Sequence, residues 1–167
     1  MVSNSFWASY DGKQSIDLNG TVHGEISQSF ATVAGESYTL SFAYANDPYI
    51  AYFGYAAATA QVSVTGTSSL LTDTITHGNS VGIGYSSLAN MNYVLYSKTF
   101  IADSTTTTLD FLSTDPAVNQ AYGIELSAIS VSANASAVPE PSTLALLGLG
   151  GLGLGIRGYR RRRGLTA

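Results

Sequence analysis

The 167 residues allow one domain and a tail, only 11% of them are charged, and there is no cysteine. Without thiols the chain has no disulfides, no thiolate zinc site and no cysteine nucleophile. Ten of the eleven acids but only Lys13 and Lys98 of the seven bases precede Val138, leaving residues 1–137 with a net charge of −8, which argues against a nucleic-acid partner.

The first stretch, MVSNSFWASYDGKQSIDLNG, has no basic n-region and no continuous apolar core, so it is not a secretory signal. From Gln14 to Val131 apolar and polar residues alternate with period two, broken by turn residues, and no sustained helical period occurs. The alternation predicts strands at Ser15 to Leu18, Glu25 to Thr32, Ser37 to Tyr44, Ala60 to Thr65, Leu71 to Thr76, Tyr93 to Ala102, Thr106 to Leu112 and Ile124 to Ser132. In ESYTLSFAY, Tyr38, Leu40, Phe42 and Tyr44 share one face and Thr39, Ser41 and Ala43 the other. One wet and one dry face per strand means two packed sheets, and eight short strands in this length fit a jelly-roll sandwich. The small residues 132–137 read as a linker, dividing the chain into a body at 1–131, the linker, and a C-terminal segment at 138–167.

Few residues in the body point to catalysis. His23 and His77 are far apart in sequence, show no metal-binding spacing, and read as surface histidines. There is no Gly-x-Ser-x-Gly elbow. A glycosidase needs two opposed carboxylates, but the spacing of Asp11, Asp17, Glu25, Asp47, Asp110 and Glu125 selects no pair. Calcium is often held by oxygens between the terminal strands of such sandwiches, which makes Asp11, Asp17 and Glu125 candidate ligands for a structural ion. Aromatics are more informative. Tyr49, Tyr52, Phe53 and Tyr55 crowd the loop after Asn46-Asp47-Pro48, with Trp7, Tyr10, Tyr85 and Tyr93 elsewhere. Sugar CH faces stack on such rings, so Tyr49, Tyr52 and Tyr55 are the candidate glycan-binding residues.

The tail has three zones. Val138, Pro139, Glu140, Pro141 and Ser142 form a stiff entry. An apolar run of 13 residues follows, carrying Leu144, Leu147, Leu149, Leu152, Leu154 and Ile156 among glycines. Arg157, Arg160, Arg161, Arg162 and Arg163 then suit the cytoplasmic face of a membrane. The run is short of the roughly 20 residues of a full span, and its glycines weaken a helix; it is expected to be a marginal membrane helix that is readily surrendered.

This order of Val-Pro-Glu-Pro-Ser, Gly/Leu segment and arginine cluster resembles a PEP-CTERM sorting signal. The resemblance implies recognition and cleavage by an exosortase in a Gram-negative bacterium, and a link to extracellular polysaccharide and biofilm matrix. Such substrates carry a Sec signal, so the chain is expected to be truncated at its start and the sandwich to lack a first strand or two. The body, through DGKQSIDLNGTVHGEISQSFATVAGESYTLSFAYANDP, KTFIADSTTTTLDFLST and AYGIELSAISVSA, resembles the choice-of-anchor C family of exported proteins, which implies a galactose-binding-like β-sandwich. It departs from that family where Leu126-Ser127-Ala128-Ile129 replaces Leu-Asp-Asn-Val and in its aromatic insert YIAYFGYAAATA.

The expectation is therefore an exported, non-enzymatic surface or matrix protein. Its partners would be an exosortase-like enzyme, the Sec translocon, the inner membrane in transit and extracellular polysaccharide, with no cofactor beyond a structural Ca²⁺. A carbohydrate-active enzyme, or a purely structural protein kept by its membrane anchor, are the alternatives.

Overall fold

The computed structural model describes residues 2–3, 7–116 and 121–134. The sorting residues Val138 to Ser142, the membrane run and the arginine cluster lie outside these. Among the described residues there are nine strands: β1 (Val2–Ser3), β2 (Gln14–Asp17), β3 (Glu25–Ala31), β4 (Ser37–Asn46), β5 (Ala57–Thr65), β6 (Ser69–Gly78), β7 (Val94–Ile101), β8 (Thr106–Ser113) and β9 (Ile124–Ala133). A 3-10 turn at Asn79–Val81 is the one helical element among the described residues, and none of them forms a helix long and apolar enough to cross a membrane.

The strands make two sheets, β1-β2-β9-β4-β7 and β3-β8-β5-β6, with antiparallel pairing throughout. All eight strands expected from the alternation occur, and β1 is added. Their inward residues form one core in which Leu40, Phe42, Val62, Val64, Ile124 and Leu126 are almost completely buried. Phe42 anchors it, stacked on Tyr96 at 4.5 Å and edge-on to Phe111 at 5.1 Å; burying a ring of this size contributes about 2–3 kcal/mol. The edges of the two sheets are tied where Tyr96 of β7 donates to Asp73 of β6 at 3.2 Å, beside a Lys98–Asp73 contact of 4.0 Å.

A second, smaller apolar patch covers the outer side of the five-stranded sheet. Ala45 points away from the main core and packs with Trp7 and Met91, with Tyr93 against them. The segment before β2 and the residues before β7 therefore act as a lid on this end of the sheet.

β9 carries a bulge. Its register against β4 shifts between Ser41, paired with Ser130, and Ala43, paired with Ser127, so Ala128 and Ile129 oppose Phe42 alone. Ala128 takes a φ of 53° to turn it, a left-handed conformation that costs a residue with a Cβ roughly 1 kcal/mol. Ala128→Gly is expected to raise stability by about 1 kcal/mol, read as a higher urea midpoint at unchanged slope; an unchanged or lower midpoint would contradict it.

Candidate functional site: an acid cluster at the root of an aromatic loop

Three acids converge at one end of the five-stranded sheet. Asp17 ends β2 and pairs across the ladder with Glu125 of β9, so both side chains leave the same face. Asp47 follows the last residue of β4, whose Ala45 is the partner of Glu125 on its other side. Carboxylate oxygens of Asp17, Asp47 and Glu125 lie within 4.8 Å of one another, about twice a Ca–O bond length of roughly 2.4 Å.

The surroundings do not neutralise this charge. Glu125 is completely buried and Asp47 nearly so. The Ser15 hydroxyl lies beside Glu125 and eases its charge slightly, but it accepts the Trp7 indole N–H at 3.1 Å. Neither oxygen of Glu125 makes a hydrogen bond among the described residues, and the buried Tyr93 hydroxyl is likewise unbonded. Burial, with the charges of Asp17 and Asp47 adding to it, pushes the Glu125 carboxyl up to about 9. Burial also raises Asp47 to about 6, against the Tyr49 N–H that stabilises its charge, and raises Asp17 against backbone N–H bonds from Gly20 and Asn19.

Buried carboxylate oxygens without partners are costly unless protonated or bound to a cation. The set is all oxygen, with no imidazole or thiolate, which suits a hard ion such as Ca²⁺ over a softer metal. Asp17, Asp47 and Glu125 fit the structural ion, but Asp11 does not join them. It sits exposed in the turn before β2, where its carboxylate accepts the Lys13 N–H at 3.1 Å. Asp47 takes its place, a residue whose position at the end of β4 only the fold reveals.

The aromatic loop starts at Asp47 itself. The Asp47 carboxylate accepts the Tyr49 N–H at 2.6 Å and its carbonyl accepts the Ile50 N–H at 3.1 Å. Ile50 is fully buried and pins the loop, while Tyr52 is 84% exposed, Phe53 48% and Tyr49 41%. Phe53 meets Tyr52 edge-on at 5.1 Å and stacks on Tyr122 at 4.2 Å and 16°. Tyr55 turns the other way: it packs against the core, and its carbonyl accepts the Tyr85 hydroxyl at 3.0 Å. The rings presented together are thus Tyr49, Tyr52, Phe53 and Tyr122. Tyr122 is remote in sequence from the loop and reaches it because β9 pairs with β4.

His77 is also not the surface residue expected. It is completely buried, with Nδ1 2.6 Å from Asn46 Oδ1 and Nε2 2.8 Å from the Asn92 carbonyl. His23 is half-buried and lies outside the acid cluster. Of the remaining carboxylates, Asp110 is raised by burial and by the adjacent Glu25, with which it shares an exposed sheet face rather than a cleft.

Against known families, the model described as "Protein of unknown function (DUF642)" matches residues 2–132. The chain belongs to the DUF642 family. This match is compatible with the choice-of-anchor resemblance of the body, and it takes in all three acids and the aromatic loop of the DUF642 domain. The PEP-CTERM protein-sorting motif matches residues 137–162, which marks this DUF642 protein for export and exosortase processing in a Gram-negative bacterium.

No curated protein matches the sequence. Among solved structures, the chain is similar to a CBM4 structure, at 14% identity and a TM-score of 0.46 over 70% of this chain and 64% of that one. It is also similar to the EclA C-terminal domain, a sugar-binding protein, at 17% identity and 0.48 over 71% and 77%. A family 35 carbohydrate binding module from an environmental isolate gives 16% and 0.43 over 78% and 84%.

Proposed function

We propose that the DUF642 body is a non-catalytic module that binds neutral polysaccharide at the aromatic loop, on a protein that passes the Sec translocon and the inner membrane and is displayed at the cell surface or in the matrix. The observation that carries this reading is the ordered, solvent-facing set Tyr49, Tyr52 and Phe53, with Phe53 held against Tyr122. Rings fixed in this way offer CH-stacking surface at little entropic cost. The charge balance selects the ligand class: a body at −8, whose Lys98 lies beside Asp73, disfavours uronate-rich or sulfated chains.

A catalytic reading draws no support from the acids. Asp17, Asp47 and Glu125 lie closer than the roughly 5–9 Å of a glycosidase pair, and the completely buried Glu125 is out of reach of a polymer. Their role in this proposal is to hold a structural cation, which supplies charge neutralisation at the root of the loop.

Tyr52→Ala tests the binding site. With 84% of its surface exposed, Tyr52 contributes little to folding, and the variant is expected to unfold within about 0.5 kcal/mol of the wild type. In affinity electrophoresis through gels containing β-glucan, xylan or galactan, the retardation of the wild type is expected to weaken by about tenfold or more in apparent affinity. Equal retardation of both proteins, or collapse of the variant fold, would overturn the assignment.

A further inference from the structure

Resting on that binding-site reading, we infer that a hard divalent cation held by Asp17, Asp47 and Glu125 clamps the aromatic loop into its presenting shape, so that saccharide binding depends on a cation no sugar touches. Two acids sit at the roots of the two segments that carry the rings. Asp47 opens the loop bearing Tyr49, Tyr52 and Phe53, and its carboxylate holds the Tyr49 N–H directly. Glu125 stands three residues after Tyr122, the ring on which Phe53 stacks.

The roots are already joined by main chain. The Asp47 N–H donates to the Gly123 carbonyl at 2.9 Å, and the Leu18 N–H donates to the Ile124 carbonyl at 3.0 Å. The Asn19 N–H caps the Asp17 carboxylate at 3.0 Å, and Gly123 packs so close to the Asn19 side chain that a Cβ there would run into its amide. All three ligand-bearing segments therefore meet at one knot at the root of the loop.

Electrostatics makes this knot conditional. Three carboxylates within 4.8 Å repel when ionised, and burial outweighs the hydrogen bonds and the amino-terminal charge that favour their ionised forms. Without a cation, the repulsion is relieved by proton uptake or by moving Asp47 outward, which carries Tyr49 with it. A cation removes the repulsion and draws Asp47 and Glu125 together, fixing Phe53 against Tyr122. Glu125 is completely buried and Asp47 nearly so, so the ion acts on the shape of the platform and not as a ligand for hydroxyls.

Hydrogen exchange tests the clamp without any saccharide. The full chain in detergent is stripped with EDTA and exchanged with and without CaCl₂, following peptides covering residues 47–55 and 121–126. Ca²⁺ is expected to slow exchange in both by about tenfold, with a much smaller effect in β5 and β8. Glu125→Gln keeps the shape of the buried side chain and removes its charge, so it is expected to fold and to lose the protection. Asp47→Asn keeps the acceptor for the Tyr49 N–H and is expected to do the same. Exchange at residues 47–55 that ignores Ca²⁺ overturns the clamp, even where the protein is retarded in polysaccharide gels. Protection by Ca²⁺ together with Ca²⁺-dependent retardation supports it. Protection with no retardation in any gel supports the clamp while removing the glycan reading on which its function rests.

Discussion

In EDTA, the melting temperature of the protein is expected to fall as pH rises from 6.5 to 9, and CaCl₂ is expected to reverse most of that fall. The sign follows from Glu125. Its carboxyl titrates near 9 in the folded chain against an ordinary 4.5, so across this window the folded state keeps a proton that the unfolded chain has lost. A raised acid gives stability that is complete below its unfolded pKa and is lost as pH climbs to the folded one, at up to about 1.4 kcal/mol per pH unit. Asp47, raised to about 6, acts in the same sense but only below that value. His77, whose pKa burial lowers from 6.5, acts oppositely and only below 6.5. Above 6.5 these two have dropped out and Glu125, with its large shift, dominates. Calcium requires the ionised carboxylate, so the stabilisation it brings should grow with pH, reaching about 2.7 kcal/mol at a hundredfold excess over its dissociation constant. Glu125→Gln should flatten both curves. A wild-type melting temperature that is level in EDTA from pH 6.5 to 9, with no calcium response, would remove the ion from this site.

Most strands were legible because one face lies in the core, although β3 is exposed along nearly its whole length. Tyr38, Leu40, Phe42 and Tyr44 alternate with Thr39 and Ser41, and the structure buries the first set while leaving the second half-exposed. The two-residue β1 escaped because so short a strand has no period to detect. Strand ends were less visible: β4 runs on to Asn46 and β9 to Ala133, each beyond the point where alternation stops, since pairing continues where side chains no longer alternate.

The site was half legible. Asp17 and Glu125 could be placed because terminal strands of a sandwich pair, but Asp47 sits in what reads as a plain Asn-Asp-Pro turn. Only the register of β4 against β9, which sets Ala45 opposite Glu125, brings it to the cluster. Tyr55 and Tyr52 look alike in sequence; they part because Gly54, at φ 79°, turns the chain between them and sends Tyr55 inward. His77 misled for a similar reason. Period-two alternation on β6 puts it on the same face as the buried Ile75, a signal outweighed by the general tendency of histidine to lie outside.

His77→Leu is expected to destabilise the chain by about 3 kcal/mol, far more than a surface histidine would. The imidazole is the hub between β6 and the long connection to β7. Its Nε2 reaches the Asn92 carbonyl and its Nδ1 reaches Asn46 Oδ1, an atom that also accepts the Ser86 N–H at 3.2 Å. Both partners are acceptors, so a neutral ring satisfies one of them, and a charged ring satisfies both at the cost of desolvation. Around it, the Asn46 amide donates to the Asp47 carbonyl at 2.7 Å, the Ser86 hydroxyl to the Met91 carbonyl at 2.6 Å, and the Asn92 amide to the Ile83 carbonyl at 2.7 Å. Leucine fills the volume but orphans buried acceptors, and bonded networks of this kind fail together. Residues 79–93 should then become the first site of proteolysis, releasing Met91 from the patch with Trp7 and the Tyr85 hydroxyl from Tyr55. His77→Gln, which keeps one donor, should recover part of the urea midpoint. A midpoint in His77→Leu within about 0.5 kcal/mol of the wild type would show that this network does not hold the connection, and that Asn46 reaches Asp47 without help from the ring.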